Sequence, residues 1–256
     1  MEKCFKGMEG AFAAMYTPFK KDGSLNEAMI EQQIEYGIRK GLKGFYLTGS
    51  TGESFLLTKE ERVRVYNRAV KAAKGRVKLI AHVGAMNAND ACDLAKAAAK
   101  AGVDWVSAVG TVYFGQCFDA NFDYYKRVSN ATDLPFMIYS LGADVVPDRD
   151  VKFFDLKNVK GMKYTNYKYW QVQALIRKLP KEAIFFSGAD EQALSALATG
   201  IFAGDTFSLY VDGVKISSGA VNAATDSGKL FAFGCNANGT ETSFCGFFRS
   251  RMRMPA

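Results

Sequence analysis

The chain has 256 residues, 48% hydrophobic and 23% charged, a globular composition that excludes a low-complexity or disordered chain. Its formal net charge is +7, but basic residues alternate with acids along helix-like runs such as Thr58-Lys59-Glu60-Glu61-Arg62, which reads as a solvated surface with no nucleic-acid partner. No apolar run reaches the ~18 residues of a membrane span, and five scattered cysteines with a single histidine make neither a disulfide frame nor a zinc site.

In chain order, short apolar runs alternate with longer amphipathic ones. Strands are expected at Ala11 to Thr17, Gly44 to Thr48, Val77 to His82, Trp105 to Val109, Phe136 to Tyr139, Val159 to Tyr164 and Ile184 to Ser187. Each is apolar on successive residues, as a parallel strand covered on both faces must be. Helices are expected between them. Asn26 precedes Glu27 to Gly41, and Thr58 with Glu61 forms a capping box opening a helix through Ala73. Asn89 starts Ala91 to Ala101, and Asp119 to Asn130, Asp148 to Asp155, Tyr167 to Lys178 and Glu191 to Thr199 follow. Seven consecutive βα units point to a TIM (β/α)8 barrel, and no GxGxxG follows any strand to support a dinucleotide fold.

A barrel builds its site where strands end. Strand two ends in Thr48-Gly49-Ser50-Thr51-Gly52-Glu53, whose hydroxyls and N–H groups suit a carboxylate, although a plain helix-entry turn has the same composition. Lys163 lies inside apolar strand six. It is either a lysine snorkelling to the rim or a desolvated amine able to form an imine with a carbonyl substrate. Tyr139, ending strand five, is either a core tyrosine or a proton relay in a chain whose one histidine is His82. Strand seven leads into Gly188-Ala189-Asp190-Glu191, where a helix N-cap explains Asp190 but not both acids.

Taken together, Gly49-Ser50-Thr51-Gly52-Glu53, Tyr139, Gly161-Met162-Lys163 and Gly188-Ala189-Asp190-Glu191 resemble the N-acetylneuraminate lyase and dihydrodipicolinate synthase superfamily over residues 8 to 200. Thr17-Pro18-Phe19 and Asp22 to Asn26 resemble that family's first strand and turn. The resemblance implies Lys163 as Schiff-base lysine, Ser50, Thr51 and Gly52 as the carboxylate turn, and Tyr139 as proton shuttle, with Tyr113 as a further aromatic hydroxyl. It also implies that Thr165, Gly188, Asp190 and Glu191 bind substrate. Synthases of the family carry an arginine after the strand-five tyrosine. Here Ser140 to Asp144 contain none, and an acid at Asp144 would repel a second carboxylate. Sialic acid lyases instead carry a G-x-D-E turn after strand seven and a threonine two residues past the lysine, which Gly188 to Glu191 and Thr165 resemble, so the lyase branch is favoured.

The implied reaction cleaves N-acetylneuraminate to N-acetylmannosamine and pyruvate. The alternative is 4-hydroxy-tetrahydrodipicolinate synthesis or another pyruvate aldol reaction. A rival of another class is a catalytically silent barrel acting as a binding subunit, and a third reading, a basic nucleic-acid-binding protein, rests only on charge and Arg249 to Arg253. The partners expected are a sugar acid, pyruvate and copies of the chain in a homotetramer. No metal or organic cofactor is expected, only the covalent imine at Lys163. The N-terminal stretch has no secretory pattern, so a cytoplasmic location is expected. After Gly200 the resemblance fades: Asp205 stands where relatives carry a serine, Phe207 to Gly213 reads as the start of the family's next helix, and the Gly-, Asn- and Ser-rich end fits no barrel closure. The expected division is a barrel domain over residues 1–210 and an atypical segment over 211–256, so that the barrel end is atypical or truncated after strand seven.

Overall fold

In a computed structural model of the chain, the described residues are 3–110, 113, 117–179, 183–192, 206–211 and 214–220. The chain separates into two compact units, Met1–Ala203 and Gly204–Ala256.

The first unit carries β1 (Phe12–Ala14), β2 (Gly44–Leu47), β3 (Lys78–His82), β4 (Trp105–Val109), β5 (Phe136–Leu141), β6 (Val159–Thr165) and β7 (Ile184–Ser187). These seven strands form one parallel sheet in sequential order. Between them run α1 (Glu27–Arg39), α2 (Lys59–Ala73), α3 (Ala88–Ala101), α4 (Phe118–Ser129), α5 (Pro147–Asp150, continuing as a 3-10 turn through Asp155) and α6 (Tyr169–Ile176). Sequential parallel pairing with every crossover on one face curls the sheet around an interior. Phe12 of β1 and Phe186 of β7 meet inside it, ring centroids 4.8 Å apart. The fold is therefore the TIM barrel that the sequence pattern implies, with seven of its strands among the described residues of this unit.

Burial divides as this architecture requires. One apolar layer lies between sheet and helices, including Ile34, Phe45, Tyr66, Leu94 and Ile138. A second fills the interior, with Tyr46, Ile80, Trp105, Met137 and Tyr139 above Phe5 and Met8 of the N-terminal segment. Trp105 Nε1 donates to the Cys4 carbonyl at 3.2 Å, so the segment before β1 is tied beneath the barrel. Fully burying a ring the size of Trp105 stabilises by about 3 kcal/mol at the upper end of the usual range, which makes this floor a large contributor.

Local signals explain the helix starts. The Thr58–Glu61 capping box is present on both sides. The cap of α3 is Asn87, whose Oδ1 accepts from Asp90 N at 2.8 Å, rather than the expected Asn89. Asn89 instead accepts from Arg127 at 2.7 Å, because in Asn87-Ala88-Asn89-Asp90 either asparagine fits and tertiary pairing decides. Helix α6 is shorter at both ends than Tyr167 to Lys178. In the expected helix Glu191 to Thr199, a 3-10 turn occupies Asp190–Gln192 and residues 193–199 lie outside the described residues. Among surface charges, Arg64–Glu27 at 2.7 Å and Arg68–Glu31 at 3.3 Å join α2 to α1. Arg62, by contrast, is no surface residue: it is 3% exposed. Its spacing of three and four from Val65 and Tyr66 puts it on the inward stripe of α2.

In the second unit, β8 (Thr206–Val211) and β9 (Val214–Ala220) pair antiparallel. The helix expected over Phe207 to Gly213 is therefore a strand as far as Val211, and residues 212 and 213 lie outside the described residues. Aromatic and β-branched residues dominate that run, and Asp212-Gly213 separates it from Val214 as hairpin sequences do. Among the described residues no helix is long and apolar enough to cross a membrane.

Candidate active site

Register assembles the site. Tyr139 of β5 pairs with Lys163 of β6, and Lys163 with Phe186 of β7, so lysine and tyrosine stand side by side at one level of the barrel. Both point inward. Lys163 Nζ lies 3.7 Å from the centroid of the Tyr139 ring and 5.2 Å from that of Tyr46, and donates to Thr165 Oγ1 at 3.2 Å. Tyr139 is 3% exposed, and its hydroxyl meets Ser50 Oγ at 3.3 Å across the barrel mouth. Tyr46 donates to Ser107 Oγ at 2.8 Å, fixing its ring beneath the lysine.

This packing tunes both groups. Burial is the leading influence on Lys163 and lowers its pKa below the usual lysine range; the Tyr139 charge and hydrogen bond, then Asp190, oppose it without cancelling it. For Tyr139 burial is also the largest influence and pushes upward, but the Lys163 charge and hydrogen bonding with Ser50, Lys163 and Thr165 together outweigh it. The phenol therefore lies below its ordinary value. An amine that deprotonates more readily beside a phenol that ionises more readily has the chemistry to supply a nucleophile and a proton carrier.

The other expected residues divide between the rim and this cluster. Ser50 and Thr51 are exposed at the mouth, while Gly52 is buried and accepts from Thr17 Oγ1 at 2.7 Å. A Cβ on Gly52 would lie 2.9 Å from the Met15 carbonyl, so this turn needs glycine to lie against β1. Gly188 is the tightest point: an added methyl would collide with Thr165 Oγ1 and come within 2.8 Å of Lys163 Nζ. A Gly188→Ala variant is expected to lose about a hundredfold in activity while melting near the wild-type temperature, checked by kinetics and thermal denaturation. Asp190 and Glu191 are exposed beyond it, and Glu191 accepts from the Tyr167 hydroxyl at 2.6 Å. Tyr113 is 77% exposed and does not share the burial of Tyr139.

Two residues change the sequence reading. Asp144 forms an ion pair with Lys168 at 2.7 Å, which offsets much of the repulsion expected toward a second carboxylate. Tyr46 carries no sequence signal of its own, being one apolar-looking position among four in β2. Its partnership with Ser107 follows only from the barrel closing around both. Among the described residues, no group of three or more His, Cys, Asp and Glu side chains is placed to hold a metal ion.

Residues 7–221 match the dihydrodipicolinate synthetase family. The chain belongs to that family. It is 34% identical over 213 residues to N-acetylneuraminate lyase from Clostridium perfringens, covering 81% of this chain and 74% of that protein. The solved N-acetylneuraminate lyase from Mycoplasma synoviae is 36% identical with a TM-score of 0.71, over 78% of this chain and 68% of that one. Dihydrodipicolinate synthase from Acinetobacter baumannii, complexed with pyruvate, is 29% identical with a TM-score of 0.71, over 75% and 67% of the two chains. As a member of the family the chain is a carbon–carbon lyase of the class I aldolase type.

Proposed function

We propose that the chain cleaves N-acetylneuraminate to N-acetylmannosamine and pyruvate through an imine at Lys163. The observation that carries the reading is the buried pairing of Lys163 Nζ with Tyr139, at 3.7 Å from its ring, facing the Ser50 hydroxyl. The names of the C. perfringens and M. synoviae relatives support this substrate. The pyruvate held by the A. baumannii synthase supports the three-carbon half of it.

Each step uses groups of this chain. Neutral Lys163 attacks the C2 ketone of the open-chain sugar acid, and loss of water with uptake of one proton from solvent leaves a protonated imine. Hydroxyls and N–H groups of Ser50 and Thr51 hold the adjacent carboxylate. Tyr139, as phenolate, takes the proton of the C4 hydroxyl. The C3–C4 bond breaks, its electrons enter the imine as an enamine, and the aldehyde N-acetylmannosamine departs. Protonation at C3 restores the imine, and water then releases pyruvate and the free amine. Asp190 and Glu191, at the mouth, accept hydrogen bonds from the polyol chain. Residues 1–210 form the catalytic unit in this reading, and the working enzyme is a cytoplasmic homotetramer that needs no metal or organic cofactor, the imine at Lys163 standing in their place.

The direction of the Lys163 shift gives a pH dependence. Because burial lowers its pKa, the attacking amine is available at lower pH than in an exposed lysine. Tyr139 holds the charged amine, so a Tyr139→Phe change is expected to move the rising limb of imine formation to still lower pH. Trapping rates measured across pH check the sign.

Coupled assays discriminate the substrate. Pyruvate release from N-acetylneuraminate, with no condensation of pyruvate and aspartate semialdehyde, is the expected result. The reverse pattern would assign the chain to the synthase branch, and inactivity on both would favour a silent barrel.

A further inference from the structure

Thr48, the last residue before the Gly49-Ser50-Thr51 turn, is fully buried and has φ +47°. A β-branched side chain rarely adopts that left-handed backbone, and such strain persists only where surrounding groups hold it. Here the holding groups converge on His82, the one histidine of the chain. Its Nε2 lies 3.2 Å from the Val109 amide, which can only donate, so Nε2 is the acceptor and Nδ1 carries the hydrogen. Nδ1 is 3.0 Å from the Thr48 carbonyl and donates to it. The contact is reciprocal, because Thr48 Oγ1 donates to the His82 carbonyl at 3.1 Å.

A second layer locks His82 itself. Its carbonyl also accepts from Tyr66 at 2.7 Å and from Arg62 at 2.6 Å, while Arg62 donates to the Gly84 carbonyl at 2.9 Å. Burial, then the Arg62 and Lys163 charges, keep the imidazole neutral, so it works as a fixed hydrogen-bonding wedge. The ring stands edge-on to Tyr139, centroids 6.0 Å apart, linking the strained residue to the phenol that Ser50 must meet.

We propose that His82, backed by Arg62 and Tyr66, is a positioning residue that holds Thr48 in its strained conformation and so aims Ser50 and Thr51 at the pyruvate carboxylate. This rests on the Schiff-base reading above. If Thr48 relaxes to negative φ the chain leaves β2 in another direction, and Ser50 parts from Tyr139. The effect belongs to pyruvate binding, because Lys163 sits on a strand that His82 does not hold.

The test is borohydride trapping of the full chain with varied pyruvate. Trapping of the wild type at Lys163 confirms the chemistry; an untrapped, folded wild type overturns the Schiff-base reading and this one with it. His82→Leu is expected to raise the half-saturating pyruvate concentration about tenfold, with the rate at saturation within about threefold. His82→Asn, which keeps a short N–H donor toward Thr48, is expected to recover most of that loss. Should His82→Leu not fold, Thr48→Val, which keeps the shape but loses the Oγ1 bond, is expected to move half-saturation about threefold in the same direction. Wild-type half-saturation in folded His82→Leu or Thr48→Val, or equal impairment of His82→Leu and His82→Asn, would overturn the proposal.

Discussion

A Lys163→Met variant is expected to fold as well as the wild type and to lose activity by ~10⁴-fold or more, with no adduct formed from pyruvate and borohydride. The two side chains have similar length, and methionine removes a charge that burial already disfavours. The space between the Tyr46 and Tyr139 rings, 5.2 and 3.7 Å from Nζ, suits a thioether. Stability and activity therefore part company in this variant, and a thermal melt run beside the assay separates them. Residual turnover within tenfold of the wild type would remove Lys163 from the chemistry.

The second large effect is at Tyr139. Tyr139→Phe keeps the ring over Lys163 and the packing against Tyr46, at 5.9 Å, but removes the hydroxyl that meets Ser50. General acid–base assistance contributes about 10²–10⁴-fold, so a loss of ~10²–10³ in kcat is expected, or roughly 3–4 kcal/mol of transition-state stabilisation. The adduct on Lys163 should still form, because the nucleophile is intact. Loss of trapping together with turnover would mean that the hydroxyl serves imine formation rather than carbon–carbon cleavage.

The barrel was legible because its signals are local. Runs such as Trp105 to Val109 and Ile184 to Ser187 are apolar on successive residues, and they are strands over those same residues. Lys163 and Tyr139 could be singled out because a lysine in an apolar strand and a tyrosine at a strand end are anomalies against that pattern. What the sequence did not disclose depends on closure of the barrel. Arg62 looked like part of a charged helix face, and only its spacing from Val65 and Tyr66 hinted at burial. The bond from Tyr46 to Ser107 spans 61 residues and the Thr48–His82 pair spans 34, distances at which pattern carries no information. The Asp144–Lys168 pair likewise joins two loops, and the lysine offsets the repulsion that Asp144 by itself would exert on a second carboxylate.

The proposed chemistry depends on one covalent bond, the imine at Lys163. Incubating the chain with pyruvate, reducing with borohydride and mapping the product by peptide mass spectrometry tests it most directly. The expected result is a single added 1-carboxyethyl group, the reduced pyruvate imine, on the peptide containing Lys163. A folded sample left unmodified, or modified on another lysine, would contradict it.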